Sequence, residues 1–86
     1  MDNINPKLCE EIRNVLFETD TRPLLVSVIW TYVRDKVTEI TTQSDVQTHL
    51  LHLENQGEVT RIANRDNKAL ISWTLTKAGR VRVAQS

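Results

Sequence analysis

A change of hydrophobic period at Gly57 is the feature that most constrains how this chain can fold. Before it, Val46, Leu50 and Leu53 recur at spacings of four and three, which is typical of one face of an α-helix. After it, segments 58–64 and 68–76 are rich in β-branched and aromatic residues, separated by the polar turn "NRDN". Glycine readily adopts the positive φ that commonly ends a helix. We therefore expect a helix to end at Gly57 and the chain to reverse there into a β-hairpin.

Two further helices are predicted upstream. Asn5 is a good N-cap and Pro6 suits the first helical position, so the first helix should begin there. Its apolar stripe consists of Leu8, Ile12, Val15 and Leu16. The apolar face of the second helix consists of Val26, Ile29, Trp30, Val33 and Val37. Periodicity leaves its start open, because "PLLV" reads either as the opening of a helix at Pro23 or as a short strand before a helix capped by Ser27.

The third helix has the clearest start. Thr42 followed by Asp45 at the third helical position resembles a capping box, with Asp in place of the preferred Glu. At the other end of the chain, Thr76 looks like a cap and Gly79 follows, but the nature of the last element stays open.

Charge is distributed unevenly along the chain, although 11 basic and 11 acidic side chains balance in its 86 residues. Residues 1–55 carry five basic and nine acidic groups, a net of −4, and residues 56–86 carry six basic and two acidic groups, a net of +4. Basic groups clustered in the C-terminal third hint at a polyanionic partner. A chain of this length is expected to form one domain, 1–86, with a small core.

Cys9 is the single cysteine, so no internal disulfide can form. The N-terminus lacks a secretory signal pattern, and the apolar runs are too short to span a membrane. We expect a cytoplasmic protein without membrane association.

The pattern of residue types resembles the winged helix-turn-helix superfamily of bacterial and phage transcription regulators, of the MarR, PadR or ArsR kind. The third helix ends in "L-x-x-L-x-x-x-G-x-V-x-R", from Leu50 to Arg61, and the hairpin ends in "W-x-L-T-x-x-G", from Trp73 to Gly79. The resemblance implies an α+β fold of three helices followed by a two-stranded wing. Val33 and Val46 are farther apart than in ordinary members, so either the second helix or the turn after it is long.

The resemblance implies that the third helix enters the major groove of double-stranded DNA. By this resemblance, the side chains that contact bases are those of Gln43, Ser44, Gln47 and Thr48. Side chains of Gln and Asn can pair with adenine, and those of Ser and Thr serve base edges or phosphates. The wing is expected to contact the DNA backbone or the minor groove. The DNA-contacting candidates are Thr42, Gln43, Ser44, Gln47 and Thr48 on the helix, and Arg61, Asn64, Arg65 and Lys68 on the hairpin.

Such a regulator should be a homodimer that uses its first helix or C-terminal tail as the interface, and its small size fits a phage or mobile element. The main alternative is a winged helix that binds only proteins, favoured by zero net charge and by Leu51 on the flank of the exposed face. The third helix also contains no Lys or Arg. No catalytic constellation, cofactor fingerprint or small-molecule site is evident. Asp45, His49 and His52 as metal ligands, and Cys9 as a nucleophile, are weakly indicated.

Overall fold

The computed structural model describes residues 4–19, 22–38, 41–63, 67 and 70–85. Helices and strands follow one another along these residues as α1 (Pro6–Glu18), β1 (Leu24–Leu25), α2 (Val26–Val33), α3 (Gln43–Asn55), β2 (Val59–Ala63), β3 (Ile71–Leu75) and α4 (Lys77–Ala84). None of the described helices combines the length and apolarity needed to cross a bilayer.

The α+β winged-helix architecture is confirmed, but the predicted three helices and two strands must be corrected, within the described ranges, to four helices and three strands. The described strands form one antiparallel sheet in the order β1-β3-β2, with Leu24 opposite Trp73 and Val59 opposite Leu75. Strand β1 is two residues long, so it is too short to show an alternating pattern. Helix α4 buries little beyond Gly79, so it lacks a clear apolar stripe in the sequence.

The open question about the second helix is settled in favour of a short strand followed by a helix. Helix α2 begins at Val26 directly after β1, and its N-cap is the extended Leu25, whose side chain makes no capping hydrogen bond. Ser27 therefore lies inside the helix and is not the cap. Because α2 already ends at Val33, the unusual length before α3 belongs to the connection 34–42.

The predicted helix ends at Asn5, Thr42 and Gly57 are confirmed. The Asn5 side chain accepts hydrogen bonds from the backbone N–H groups of Lys7 and Leu8 at the start of α1. Thr42 and Asp45 form the reciprocal capping box at the start of α3. After α3, Gly57 has φ 76°.

The turn that follows α3 is a complete Schellman motif. The Gly57 N–H donates to Glu54 O at 2.9 Å, and the Glu58 N–H donates to Leu53 O at 3.0 Å. Two of the last carbonyls of α3 thus find partners, and the chain is directed at once into β2.

The core lies where α1, α2 and α3 meet the inner face of the sheet. Its fully enclosed side chains have almost no solvent exposure and come from all of these elements. They are Ile12, Leu16, Ile29, Val33, Val46, Leu50, Leu53, Val59 and Trp73. The predicted stripes of α1 and α3 are therefore buried, and Trp73 of β3 occupies the inner face of the sheet as expected for a core residue.

Gly79 allows α4 to approach the Schellman turn closely. A Cβ atom at this position would collide with the backbone carbonyl oxygen of Glu58 and would lie 2.8 Å from Cδ2 of Leu75. Gly57, in contrast, has open space around it and is required only for its positive φ. The two glycines of the chain thus serve different purposes, one steric and one conformational.

We expect Gly79→Ala to lower the free energy of unfolding by about 2 kcal/mol or more, because backbone atoms cannot yield to an added methyl group as a flexible side chain can. Gly57→Ala should cost about 1 kcal/mol, the usual penalty of a left-handed alanine. Urea denaturation of both variants provides the comparison. Equal stability of Gly79→Ala and the parent would contradict the close approach.

Candidate nucleic-acid interface

Helix α3 buries one side against the core and exposes the other to solvent. The side opposite Val46, Leu50 and Leu53 carries a line of polar side chains with one leucine among them. We call it the outward face, and it consists of Ser44, Gln47, Thr48 and Leu51. Gln47 is partly buried and the other members are exposed. Gln43 lies three residues before Val46, on the side of the buried stripe, and in the first turn it lines a depression with Ser27 and Ile71. The structure thus brings three of the five helical candidates, Ser44, Gln47 and Thr48, onto one surface, while Thr42 is the cap before them and Gln43 faces another side.

The N-terminus of α3 is fixed in place by two sets of hydrogen bonds. The Trp30 Nε1–H of α2 donates to Thr41 O at 2.7 Å. The Asp45 N–H donates to Thr42 Oγ1 at 3.1 Å, and the Thr42 N–H donates to Asp45 Oδ2 at 2.9 Å. The carboxylate of Asp45 is therefore engaged in capping, next to the positive end of the helix dipole. Thr42 is exposed, but its hydroxyl oxygen is already an acceptor within the cap.

His49 joins α3 to the start of α1. Its Nε2 accepts the Asn5 N–H at 2.9 Å, and its Nδ1 lies 2.6 Å from Asp45 O. Because a carbonyl can only accept, the ring proton resides on Nδ1. Both ring nitrogens are occupied, and no group of three His, Cys, Asp or Glu side chains within the described ranges could hold a metal ion.

Arg61 links the end of α3 to the wing. It lies in β2 opposite Trp73, and its guanidinium makes two bonds to Glu54, Nε to Oε2 at 2.9 Å and Nη2 to Oε1 at 2.7 Å. The same group lies 5.2 Å from the ring centre of Trp73. The Arg61 hydrogen bonds hold the pKa of Glu54 below its ordinary value, and Glu54 raises the pKa of Arg61. Arg61 is therefore placed beside α3 and already has an anionic partner.

The tip of the predicted wing falls outside the described residues. Asn64, Arg65 and Lys68 belong to that part of the chain, so their roles stay predictions. Within the described residues, β2 covers Val59–Ala63 and β3 covers Ile71–Leu75.

Part of the basic charge in the C-terminal third is used inside the fold. Glu58 is buried, and its carboxylate lies 3.1 Å from Arg13 Nη1 of α1 and 3.7 Å from Arg82 Nη1 of α4. Sequence reasoning assigned basic groups of this third to a polyanion and missed these pairs. Residues of α1, α4 and the turn after α3 are far apart in sequence, so no local spacing could have revealed the contact.

A polar cavity of roughly 250 Å³ lies beside this ion pair, with Cys9, Arg13, His52 and Glu58 among its lining residues. Burial raises the pKa of the Cys9 thiol above its ordinary value, and Arg13 opposes that rise. A thiol whose pKa is raised is less reactive as a nucleophile. Cys9, which is only 5% exposed, acts as a small packing residue of α1.

These elements define a winged-helix fold, with α2 and α3 as the helix-turn-helix and β2 and β3 as the wing. Solved structures confirm this class. MepR of S. aureus in complex with DNA matches with a TM-score of 0.78 at 17% identity, over 96% of this chain and 61% of that chain. FabT of Streptococcus pneumoniae in complex with DNA matches with a TM-score of 0.70 at 21% identity, over 96% and 52%.

The transcriptional regulator BldR of Sulfolobus solfataricus matches with a TM-score of 0.68 at 23% identity, over 87% of this chain and 50% of that chain. The present chain thus spans between 50% and 61% of the length of these three proteins. No protein-family model and no curated protein sequence matches it. At these identities the likeness establishes the fold.

The Glu54–Arg61 contact can be tested through the pKa of Glu54. The lowered pKa of Glu54 means that the contact stabilises the fold at neutral pH and that this contribution is lost as acid protonates the carboxylate. In a carboxyl NMR titration, Glu54 should titrate below free glutamate in the parent and return toward the ordinary value in Arg61→Gln. Lys77→Gln, which removes a basic group from α4, is the control and should leave Glu54 unchanged. An identical Glu54 titration in Arg61→Gln would rule out the contact in solution.

Proposed function

We propose that this protein is a sequence-specific, double-stranded DNA-binding transcription regulator that inserts α3 into the major groove. The observation that carries the proposal is the outward face of α3, which presents hydrogen-bonding side chains beside a wing. The fold supports it, because MepR and FabT, which share it, were solved in complex with DNA.

The proposed base contacts follow from side-chain chemistry. Gln43 and Gln47 each carry an amide that can donate to and accept from adenine in the major groove. Ser44 and Thr48 can bond to base edges or to phosphate oxygens. Thr42 is assigned to a phosphate oxygen, because it is the N-cap of α3 and backbone N–H groups at a helix N-terminus favour an anion.

The proposed phosphate contacts come from the wing, since α3 has no Lys or Arg. Arg65 and Lys68 are assigned to the backbone or the minor groove, with Asn64 beside them. Arg61, whose side chain is 45% exposed, is assigned to the backbone beside them while it keeps its two bonds to Glu54. Of the two acidic residues of α3, Glu54 is paired with Arg61, whereas Asp45 keeps its charge at the cap, where the helix dipole partly balances it.

A homodimer is part of the proposal. Two copies would place their α3 helices about one helical turn of DNA apart and so read a symmetric site. Helix α1 and the C-terminal tail are the proposed interface. The proposed location is the cytoplasm, which fits a single cysteine that is free.

The rival function is a winged helix that binds only proteins, supported by zero net charge and by the exposed Leu51.

Salt concentration separates the two functions, because every phosphate contact releases counterions when it forms. The logarithm of the DNA association constant should fall with the logarithm of salt, with a slope near −0.9 for each contact. Fluorescence anisotropy with a labelled duplex measures this slope. We expect binding at low salt and a slope corresponding to several contacts, reduced by about one contact in Arg65→Ala. Absence of binding at low salt would exclude the DNA-binding function.

Gln47→Ala should reduce discrimination between the preferred sequence and random DNA by about 1–3 kcal/mol, the range for one good contact to a base. Its salt slope should stay the same, since no phosphate contact is removed. Gln56→Ala is the matched control, because Gln56 is an exposed residue of the same type that follows α3 and lies off the outward face. Competition binding with specific and random duplexes gives the discrimination. Equal discrimination in both variants would show that Gln47 does not touch a base.

A further inference from the structure

Leu51 is an apolar side chain in the middle of the polar outward face. Successive residues of an α-helix are rotated by about 100°. The Leu51 side chain therefore points in a direction between those of Gln47 and Thr48, about one helical turn closer to the C-terminus of α3. Its side chain is 39% exposed, and it points away from the core stripe of α3. A leucine at this position leaves apolar surface in contact with water in the free protein and adds nothing to the core.

We propose that Leu51 is a specificity-determining residue that contacts the C5 methyl group of a thymine in the major groove. The inference rests on the proposed function and assigns it a preferred base chemistry. Thymine is distinguished in the major groove by this methyl group, and apolar side chains recognise it by direct contact.

The position of Leu51 along the helix supports the contact. Ser44, Gln47, Thr48 and Leu51 follow the spacing i, i+3, i+4, i+7, which recurs among the base-reading residues of a helix lying along the major groove. At a rise of about 1.5 Å per residue, Leu51 lies about 12 Å from Gln43 along the axis. A helix lying along the groove therefore spreads the side chains from Ser44 to Leu51 over about three base pairs, at about 3.4 Å for each.

The surroundings of Leu51 favour DNA over a protein partner. Its neighbours along the open side are the hydroxyl of Thr48 and the amide of Asn55, both exposed. With Ile4 and His52 they line a shallow depression of roughly 220 Å³. The other large exposed apolar residues within the described ranges lie on other elements. An isolated methyl-sized target therefore fits this site better than the extended apolar surface of a protein interface.

The test removes the methyl group from the DNA and the side chain from the protein. A preferred duplex is first selected from random sequence with the 86-residue chain. Each thymine is then replaced in turn by deoxyuridine, which lacks only the C5 methyl group, and the affinity is measured by anisotropy. We expect one or two positions at which the parent loses about fourfold in affinity, the amount expected for one buried methyl group.

Leu51→Ala should bind the thymine and uracil duplexes equally at those positions, and Leu51→Met should keep part of the difference. Val81→Ala is the matched control, because it removes a 47% exposed apolar side chain from α4. It should retain the full fourfold effect. Circular dichroism of each variant checks that the helices are intact, which the exposure of both side chains leads us to expect.

The outcomes separate the inference from the function on which it depends. If the parent selects a sequence but is indifferent to every methyl group, the Leu51 assignment is overturned and the DNA-binding function stands. If Leu51→Ala keeps the parent's methyl sensitivity, another group reads the methyl and the assignment is again overturned. If the parent selects no sequence at all, the proposed function and the assignment fail together.

Discussion

The packing of α3 against the core determines which of its side chains remain open. Val46, Leu50 and Leu53 are at most 1% exposed, so rotation of the helix about its axis would bring polar side chains into the core. Burial of a hydroxyl or amide without a partner costs several times what a buried methylene contributes. The orientation of the outward face is therefore a direct consequence of burying the opposite one. Every functional proposal made for this chain depends on that orientation.

Both ends of α3 are tied to other parts of the fold, which makes the helix a fixed platform. At its start, the Trp30 indole holds the Thr41 carbonyl and the capping box follows at once. At its end, the Schellman turn leads into β2, and Arg61 of β2 donates a hydrogen bond to Glu54. A base-reading helix must be held within about half an ångström of its working geometry. Contacts at each end meet that requirement without a long helix or a large core.

The use of charge inside the fold affects how a polyanion would be bound. Arg61 is paired with Glu54, and Arg13 and Arg82 surround the buried Glu58. Basic groups that neutralise internal carboxylates contribute little to long-range attraction of DNA. In the proposed function, neutral amides, hydroxyls and one leucine supply the recognition, and a few wing cations supply the attraction. Such a surface favours discrimination between sequences over strong non-specific binding.

The sequence predicted the parts of the fold that depend on local signals. The Asn5 cap, the Thr42–Asp45 box and Gly57 each act within a few residues, and the buried stripes of α1 and α3 follow from helical period. Strand β1 could not be assigned with certainty, because two residues carry no alternation and the strand exists only through its pairing with β3. Helix α4 was left unassigned after its Thr76 cap, because its contact with the fold relies on the absence of a side chain at Gly79.

The candidate site was predictable to a similar degree. Helical geometry identified the outward face, since it is the complement of the apolar stripe. The engagement of Arg61 by Glu54 and Trp73 was not predictable, because it joins a helix end to a strand through tertiary structure. Asn64, Arg65 and Lys68 lie outside the described residues, so their assignment still depends on the resemblance alone.

The central claim is that the outward face of α3 is the surface that meets DNA. Backbone amide NMR spectra of the ¹⁵N-labelled protein, recorded during titration with a duplex carrying its preferred sequence, test this claim most directly. The account predicts that the largest shift changes fall on residues 43–51 and on the wing beside Arg61, while the exposed side of α4 changes little. Largest changes on α1 or α4, with residues 43–51 unaffected, would contradict it.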